Sequence, residues 1–521
     1  MESKGNIIGI LLTIIFYLGG MIVIGAVFSK KNKDVSDFYL GGRKLGPLVS
    51  AMSAEASDMS SWLLMGLPGV AYLCGLAEAG WTAIGLAIGT YLNWLLVARR
   101  LRVYSQKTNS ITLPDFFSDR YHDKNHLLSG VAAVIILVFF VPYTASGFSA
   151  CGKLFGTLFG MEYHAAMILS AVIIIAYTSM GGFLAASFTD LIQSIVMTTA
   201  LIIIVGFGVS HAGGFDAVMG NAKALPDYLH MTVTRAFDSS NGTFSQSGYG
   251  FLPIVSTLAW GLGYFGMPHI LLRFMATEDQ HKIKISRRIA SIWVVIAMAV
   301  AIFIGFIGNQ LSANGTIETL FGVDTNNSET VVMVIAKLLS KHGFLAAMVA
   351  GLIFAGILAC TMSTSDSQLL AASSSMSENI MKGVFKLKLN EKQSMLVARA
   401  VLIVIAILGV LLAWDQNSSV FRVVSFAWAG FGATFGPVML TALFWKRSNK
   451  WGAVSGLVVG GVMIFVWKFL IRPLGGAWDI YELLPAFICS LVEIVIGSLV
   501  TGAPEKAVTD EYDEVNAMLK A

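Results

Sequence analysis

The sequence predicts an all-α polytopic membrane protein with about thirteen transmembrane helices. Of its 521 residues, 56% are hydrophobic and only 13% are charged, whereas an ordinary soluble domain carries about 25% charged residues. Apolar runs of about 20 residues, the length that crosses a bilayer, recur along the whole chain. The net charge of +4 is small and does not indicate a nucleic-acid partner.

The predicted membrane spans are numbered 1 to 13 in chain order. Their approximate limits are 6–28, 46–77, 81–100, 128–152, 163–180, 188–211, 248–271, 287–312, 345–375, 396–414, 421–445, 451–472 and 482–502. Span 1 lies where a signal peptide would lie, but its apolar run is too long for one and its first residues include both Glu2 and Lys4. We therefore expect a retained helix.

Positive charge alternates between the loops and predicts the orientation of the chain. The loops before spans 2, 4, 8, 10 and 12 are rich in Lys and Arg, and the loop before span 8 is counted from Arg273 to Arg288. Because basic loops stay in the cytoplasm, we expect the N-terminus outside and the C-terminus inside. The polar tail, 503–521, is expected to be a short cytoplasmic helix or a disordered end.

The stretch "AWGLGYFGMPH" (259–269) contains a G-x-G-x-x-G spacing at Gly261, Gly263 and Gly266. In dinucleotide-binding enzymes this spacing follows a strand and opens a helix, whereas here it lies inside span 7. The 4 cysteines lie in apolar stretches without metal-binding spacing. We expect no enzymatic activity, and we expect the glycines to let the backbone of span 7 unwind and approach a small ligand.

Spans 2 and 7 are predicted to be interrupted helices. Span 7 carries these glycines and Pro268, and the polar middle of span 2, 54–61, contains Glu55 and Asp58. Non-helical backbone at membrane depth survives where it lines a cavity, and two interrupted spans in corresponding positions indicate an inverted-repeat transporter. The alternative is that both are glycine-kinked packing helices.

The predicted repeats divide the chain into five units. These are a first helix and loop (1–45), a repeat of spans 2–6 (46–211), an outer loop (212–247), a repeat of spans 7–11 (248–445), and two peripheral helices with the tail (446–521).

Span 9 contains five consecutive polar side chains, 363–367, in an otherwise apolar helix. Hydroxyls in such a helix can bond back to the preceding turn, but an ionisable residue at this depth is a functional candidate. Hydroxyls and the free carbonyls of a broken helix suit a hard cation such as sodium. In span 7, Trp260 and Tyr264 are four residues apart on one helical face, and aromatic faces favour a cationic ammonium group.

Six stretches together resemble the solute:sodium symporter family: "SAEASDMSSWLLMGLPG" (53–69), "TLPDFFSDRY" (112–121), "GGFLAASFTDLIQ" (181–193), "WGLGYFGMPHILLRFM" (260–275), "MSTSDSQLL" (362–370) and "AWAGFGATFGPV" (427–438). The resemblance runs from about residue 35 to 470 and is strongest to proline-carrying bacterial members. It implies the LeuT-type five-plus-five inverted repeat and a secondary active transporter that couples inward sodium flow to uptake of L-proline by alternating access.

The resemblance also implies the setting of the protein. The location would be the bacterial cell (inner) membrane. The partners would be L-proline, sodium and the lipid bilayer, with no nucleic acid and no obligatory protein partner. Three alternatives stay open: another small carboxylate or amino acid as cargo, protons as the coupling ion, and a transporter-like sensor.

At the cation sites, the resemblance implies the following residues. Sodium would bind the carbonyls of Ala56, Met59 and Cys360 and the hydroxyls of Ser363 and Thr364, with Asp58 adjacent. A second cation site would use Asp190, Asp366 and Ser367, although Asp366 departs from the expected hydroxyl and Asp190 could instead be a helix N-cap. Glu55 is a further departure from the residue pattern of the family, and it would pair with a cationic side chain or be protonated. A protonated Glu55 leaves proton coupling as an alternative.

At the substrate site, the resemblance implies a pocket formed by Ser60, Trp62, Tyr143, Trp260, Tyr264 and Pro268. Met267 replaces a glutamine expected at the edge of this pocket. Arg43 would act either near the inner gate or as a cytoplasmic anchor of the chain.

Overall fold

The membrane-spanning helices are the main feature of the computed structural model, which describes residues 4–29, 35–238, 240–322 and 325–520. Within this part of the chain, 10 helices are long and apolar enough to cross a membrane. They are Lys4–Phe28, Leu76–Lys107, Leu127–Phe159, Gly182–His211, Gln280–Ala313, Phe344–Val384, Lys392–Leu412, Val420–Phe444, Lys450–Leu474 and Leu483–Val500. They correspond to every predicted span except 2, 5 and 7.

Spans 2, 5 and 7 are present but shorter or interrupted. Span 2 consists of Pro47–Ser61, a π-helical turn at Trp62–Gly66, and Leu67–Cys74. Span 7 consists of Phe251–Leu258, a 3₁₀ segment at Ala259–Phe265, and Pro268–Ala276. The molecule is thus a thirteen-span helical protein, with the broken helices where the sequence predicted them.

Spans 5 and 6 form one helical run, Tyr163–His211, that is bent at Gly182. Gly182 has φ 69° and ψ 179°, a backbone conformation that glycine adopts without steric cost. The bend separates the short apolar helix Tyr163–Ala176 from the long Gly182–His211.

The connecting segments carry short elements. The helices are Val35–Leu40, Leu113–Arg120, Phe215–Ala224, Val331–Ser340 and Lys506–Lys520, and the strands Val233–Asp238 and Thr243–Gly248 pair antiparallel. The strand pair lies in the loop 212–247 and is an addition to the all-α prediction. Of the two expectations for the tail, the helix is the one observed.

Span 9 is the central helix of the bundle. It packs against spans 1, 2, 4 and 6, and the hydroxyl of Thr13 in span 1 donates to the carbonyl of Met348 at 3.1 Å. From Ile353 to Ser374 every residue of span 9 is buried. The polar run 363–367 therefore faces protein on all sides rather than lipid.

Candidate functional site

The break in span 2 lies at Ser60, which has φ 47° and ψ −169° inside an otherwise helical segment. A positive φ is uncommon for a serine, and here the Ser60 hydroxyl accepts the backbone N–H of Trp62 at 3.2 Å. The break frees carbonyls of the preceding turn. The carbonyl of Asp58 accepts the hydroxyl of Tyr143 at 3.2 Å, and that of Ala56 accepts Ser363 Oγ at 2.8 Å.

The break in span 7 follows the 3₁₀ segment, where Met267 is extended and Pro268 begins the next helix. Proline suits a first helical position because its missing N–H would have no intrahelical partner there. Side chains from other spans satisfy the unwound backbone: Trp428 Nε1 donates to the Trp260 carbonyl at 2.7 Å, and Asn93 Nδ2 donates to the Tyr264 carbonyl at 2.9 Å. Sequence reasoning missed both donors, since each lies in an ordinary apolar span.

The glycines of span 7 allow close packing. A Cβ on Gly263 would lie 1.9 Å from Trp428 Nε1, and one on Gly266 would lie 2.2 Å from the Phe431 carbonyl oxygen. Gly261 likewise faces backbone, with the Gly85 carbonyl oxygen 2.3 Å from its would-be Cβ. The unwinding expected at these glycines is observed, and spans 3 and 11 occupy the space on their would-be Cβ side.

A small cavity lies where the two breaks meet, with about 240 Å³ of empty space. Its lining residues are Asp58, Met59, Trp62, Leu86, Tyr143, Trp260, Val424 and Trp428. Three predicted substrate residues, Trp62, Tyr143 and Trp260, are among them. A fourth, Tyr264, donates its hydroxyl to Asp58 Oδ2 at 2.5 Å.

Three predicted substrate residues, Ser60, Tyr264 and Pro268, are not among the lining residues of the cavity. Ser60 is buried at the break itself, and Pro268 begins the helix beyond the second break. The backbone positions of Ser60 and Pro268 shape the two breaks. Leu86 and Val424, which do line it, carry no distinguishing feature in the sequence.

Aromatic rings separate the cavity from a larger outer vestibule. The ring of Trp260 lies 5.7 Å from Trp62, 5.4 Å from Phe421 and 5.2 Å from Tyr481, measured between centroids. Beyond them the vestibule has about 2110 Å³ of empty space, and its charged lining residues are Glu78, Glu329, Arg422, Lys468, Arg472 and Asp479.

Glu329 connects several elements at the edge of this vestibule. Its carboxylate accepts the backbone N–H groups of Val420 and Phe421, each at 3.1 Å, at the start of span 11. Lys153 of span 4 pairs with the same carboxylate at 3.0 Å. A carboxylate is favourable at a helix N-terminus, but the sequence showed only an isolated acid in a predicted outer loop.

Oxygen atoms from spans 2 and 9 cluster beside the cavity. Ser363 Oγ lies 2.8 Å from the Ala56 carbonyl oxygen and 3.2 Å from that of Cys360, and Thr364 Oγ1 lies 3.1 Å from the Cys360 carbonyl oxygen. These are four of the five predicted sodium ligands. Carbonyl and hydroxyl oxygens suit a hard cation, so the donor set fits sodium.

The fifth predicted ligand, the Met59 carbonyl, accepts the backbone N–H of Trp62. The side chain of Met59 lines the cavity. Segment 56–60 therefore contributes to both the oxygen cluster and the cavity.

Glu55 and Asp58 are both buried in the first half of span 2, at 1% and 6% exposure. The Trp94 indole N–H donates to Glu55 Oε1 at 3.2 Å, and Glu55 Oε2 has no hydrogen-bond partner among the described residues. No cationic side chain pairs with Glu55 within that part of the chain, so this alternative for Glu55 is not observed.

Asp190 forms a buried ion pair with Arg273, with 3.0 Å between Oδ2 and Nη2. The side chains are 0% and 1% exposed. Ser53 Oγ donates to the same carboxylate oxygen at 2.6 Å, and Arg273 Nη2 also donates to Ser367 Oγ at 2.5 Å. The assignment of Arg273 to a cytoplasmic loop is wrong, because a second helical half continues from Pro268 to Ala276 and carries it into the bundle.

Two of the three residues of the predicted second cation site, Asp190 and Ser367, bond the same guanidinium group. Arg273 lies between Asp190 and Ser367, whereas Asp366 accepts the hydroxyl of Thr178 at 2.5 Å. The guanidinium of Arg273 supplies a positive charge beside Asp190, and a cation site at these residues stays a prediction. The N-cap interpretation of Asp190 is also wrong, since Asp190 lies inside Gly182–His211.

Arg43 connects three segments at the end of the bundle that carries the basic loops. Its guanidinium donates to the carbonyls of Met275 at 2.7 Å, Ser105 at 2.8 Å and Ser110 at 2.7 Å. Burial, followed by the charge of Arg102, lowers the pKa of Arg43 to about 10. These bonds hold the ends of spans 3 and 7 together and close that side of the bundle.

A model of the sodium:solute symporter family matches residues 38–460 of the chain. The chain belongs to the sodium:solute symporter family. This family match, together with the thirteen helical spans, makes the protein a multi-pass membrane transporter.

Known members of the sodium:solute symporter family align with nearly the whole chain. A sodium/proline symporter of Haemophilus influenzae is 43% identical over 515 residues, covering 98% of each chain. A sodium/proline symporter of Escherichia coli K12 is 39% identical and covers 97% of this chain and 96% of its own. An osmoregulated proline transporter of Bacillus subtilis is 37% identical, covering 98% of this chain and 99% of its own.

Solved structures share the fold at low sequence identity. A Na⁺-coupled sialic acid symporter in a substrate-bound outward-open state superposes with a TM-score of 0.77 at 19% identity, covering 97% of this chain and 99% of its own. Mhp1, a nucleobase-cation-symport-1 family transporter, gives 0.55 at 14% identity, covering 92% and 99%. The chain therefore has the LeuT-type five-plus-five inverted-repeat architecture.

Proposed function

We propose that the protein couples inward sodium flow to uptake of L-proline by alternating access. The observation that carries this proposal is that one broken segment, 56–60, serves two groups. The Ala56 carbonyl belongs to the oxygen cluster, and Asp58 and Met59 line the cavity. A cation that orders this segment reshapes the cavity, and binding linkage then requires the cargo to tighten the cation by the same factor.

The relatives that are proline transporters make L-proline the proposed cargo. The cavity offers groups that suit a small zwitterion with an apolar ring. Trp62 Nε1 is buried without a hydrogen-bond partner among the described residues and is placed to donate to a carboxylate. The faces of Trp260 and Tyr143 provide apolar walls that also favour a secondary ammonium group.

The proposed sodium ligands are Ala56, Cys360, Ser363 and Thr364, with the Met59 carbonyl as a fifth if the turn after it opens. Asp58 lies within segment 56–60, next to Met59, and accepts the Tyr264 hydroxyl. Its charge offsets that of sodium, and its bond to span 7 links the two broken helices. Sodium binding in span 2 is thereby communicated to the wall of the cavity that span 7 forms.

The proposed location is a bacterial cell membrane, with the N-terminus outside and the C-terminus in the cytoplasm. The Arg43 contacts then close the cytoplasmic side, and the vestibule opens to the outside. Release of both solutes inward requires these contacts to break while the rings of Trp260, Phe421 and Tyr481 shield the cavity from the vestibule.

Labelled L-proline uptake into proteoliposomes tests the proposal. Inward gradients of sodium, lithium, potassium and protons are compared at matched membrane potential, with unlabelled amino acids as competitors. Accumulation above equilibrium under sodium alone is the expected result. Absence of proline uptake under every gradient contradicts the cargo, and uptake under potassium equal to that under sodium contradicts the coupling.

A second candidate is proton coupling, which the unpartnered Glu55 Oε2 favours. A carboxyl group that is buried at membrane depth exchanges protons readily between its two states when a water path reaches it. Proline accumulation driven by a proton gradient without sodium supports this candidate. Loss of that accumulation in Glu55→Gln assigns the proton coupling to Glu55.

A further inference from the structure

A long groove runs along the lipid-facing side of spans 4 and 12. It has about 1540 Å³ of empty space, and its walls are almost entirely aliphatic and aromatic side chains. Representative lining residues are Val131, Val134, Val138, Val458 and Val462. Because these walls belong to membrane-spanning helices, hydrocarbon and not water is the medium that meets them.

The groove has the length of one bilayer leaflet. It extends from the starts of the two helices, at Leu127 and Lys450, to Phe139 and Phe465, which is roughly 20 Å at 1.5 Å per helical residue. Half of the hydrocarbon core is about 15 Å thick. The rings of Phe139 and Phe465 stack with centroids 5.8 Å apart and close the deep end.

The mouth of the groove has the composition of a headgroup site. Trp451 is 53% exposed there, and Phe385 is 66% exposed at the end of the span 9 extension. Lys386 and Lys388 are exposed and follow Phe385 along the chain, and Lys450 lies over the Trp451 ring at 5.2 Å. Tryptophan prefers the membrane interface, and basic pockets between helices attract anionic headgroups.

Asp123 offsets the charge of Lys450, so Lys386 and Lys388, which follow the lining residue Phe385, supply the positive charge beside the mouth. Asp123 pairs with Lys450 at 2.7 Å and accepts the Leu128 N–H at 2.7 Å, so its charge is offset within the protein. The N-termini of spans 4 and 12 both lie at this mouth, and helix N-termini favour phosphate.

We propose that this groove binds an anionic glycerophospholipid, with one acyl chain along spans 4 and 12 and the phosphate near Lys386, Lys388 and Lys450. The inference requires only that the chain spans a bilayer and is independent of its cargo. The lipid contacts spans 4 and 12, which are unbroken helices, and the end of span 9. Span 9 also carries part of the oxygen cluster.

Native mass spectrometry of the full-length detergent-purified protein tests the site, with phosphatidylglycerol and phosphatidylcholine of identical chains as probes. Gly461→Phe fills the groove, because only Thr434 Cγ2 at 3.5 Å lies near a Cβ at Gly461. Gly206→Phe is the matched control, since nothing lies within 4 Å of its Cβ position. The expected result is one fewer retained phosphatidylglycerol in Gly461→Phe and no loss in Gly206→Phe.

A second pair of variants tests the headgroup. Lys386→Gln with Lys388→Gln lowers the retained ratio of phosphatidylglycerol to phosphatidylcholine by about fivefold per lysine. Lys284→Gln with Arg288→Gln, at exposed positions in the first turns of span 8, leaves it unchanged. Equal lipid retention in Gly461→Phe and Gly206→Phe overturns the groove. An unchanged ratio in the double lysine variant overturns the anionic headgroup, even if the groove variant does not fold.

Discussion

Asp58 and Asp190 are two buried aspartates with opposite surroundings. Asp190 has a guanidinium partner and a serine donor. Asp58 forms no ion pair within the described residues, and its carboxylate accepts the Tyr264 hydroxyl. A buried charge without a partner is costly, and that cost is tolerated where an ion or substrate supplies the missing charge. We therefore propose a structural role for Asp190 and a role in transport for Asp58.

The largest expected effect is that of Asp58→Asn, which should reduce sodium-driven proline uptake about 100-fold or more, a barrier change of about 2.7 kcal/mol. The amide keeps the size of the side chain but removes the charge that offsets sodium. Uptake in proteoliposomes measures the loss, and thermal unfolding in detergent verifies that the variant folds.

Glu55→Gln is the matched control for Asp58→Asn, because it also removes a buried carboxylate from span 2. It should keep sodium-driven uptake within about twofold. Normal uptake by Asp58→Asn, or an equal loss in both variants, contradicts the specific role of Asp58.

The next largest effect concerns stability. Asp190→Asn leaves Arg273 without its ion-pair partner, and breaking a buried pair costs about 3–5 kcal/mol. We expect the thermal midpoint in detergent to fall by several degrees. Replacing both residues, Asp190→Leu with Arg273→Met, should recover most of the loss because no buried charge remains unpaired. A double variant less stable than Asp190→Asn contradicts the structural role.

A substitution in the uncharged wall of the cavity should change proline binding without changing sodium coupling. Trp260→Ala removes a ring that contacts Trp62, Phe421 and Tyr481. It should raise the KM for proline about tenfold, about 1.4 kcal/mol, while the dependence on sodium persists. Initial uptake rates over a range of proline concentrations measure the change. Trp414→Ala, at a position 52% exposed, is the control and should leave KM unaltered.

The last prediction concerns a third acid, which lies outside the membrane spans. Burial, and then the charge of Asp119, raises the pKa of Asp115 to about 7, and Asn379 Nδ2 donates to Asp115 Oδ1 at 2.5 Å. The folded state then binds the proton more tightly than the unfolded state. Stability should therefore fall as the pH rises from about 4 to about 7 and level off above that.

Asp115→Asn should flatten this pH dependence, because the amide stays neutral throughout. Thermal midpoints across the pH range give the comparison, with Asp216→Asn at an exposed acid as the control. A pH dependence in Asp115→Asn that matches the unmodified protein removes Asp115 as its source.

Sequence reasoning was most successful where one helix carried the whole feature. Apolar run length predicted the spans, because the bilayer imposes a minimum length on every crossing helix. The glycines, Pro268 and the polar middle of span 2 located both breaks, since each weakens a helix through local backbone chemistry. The run 363–367 marked the half of the oxygen cluster that span 9 supplies.

Features that join several spans were decided by the tertiary structure. Arg273 was assigned to a loop, and nothing local distinguishes a buried arginine from a cytoplasmic one when a broken helix resumes beside a basic loop. Trp428 and Asn93 donate to carbonyls that are free only because span 7 unwinds. Which carboxylate receives a cationic partner depends on how spans 2, 6, 7 and 9 meet, because such pairing is set by distances across the bundle and not by spacing along the chain.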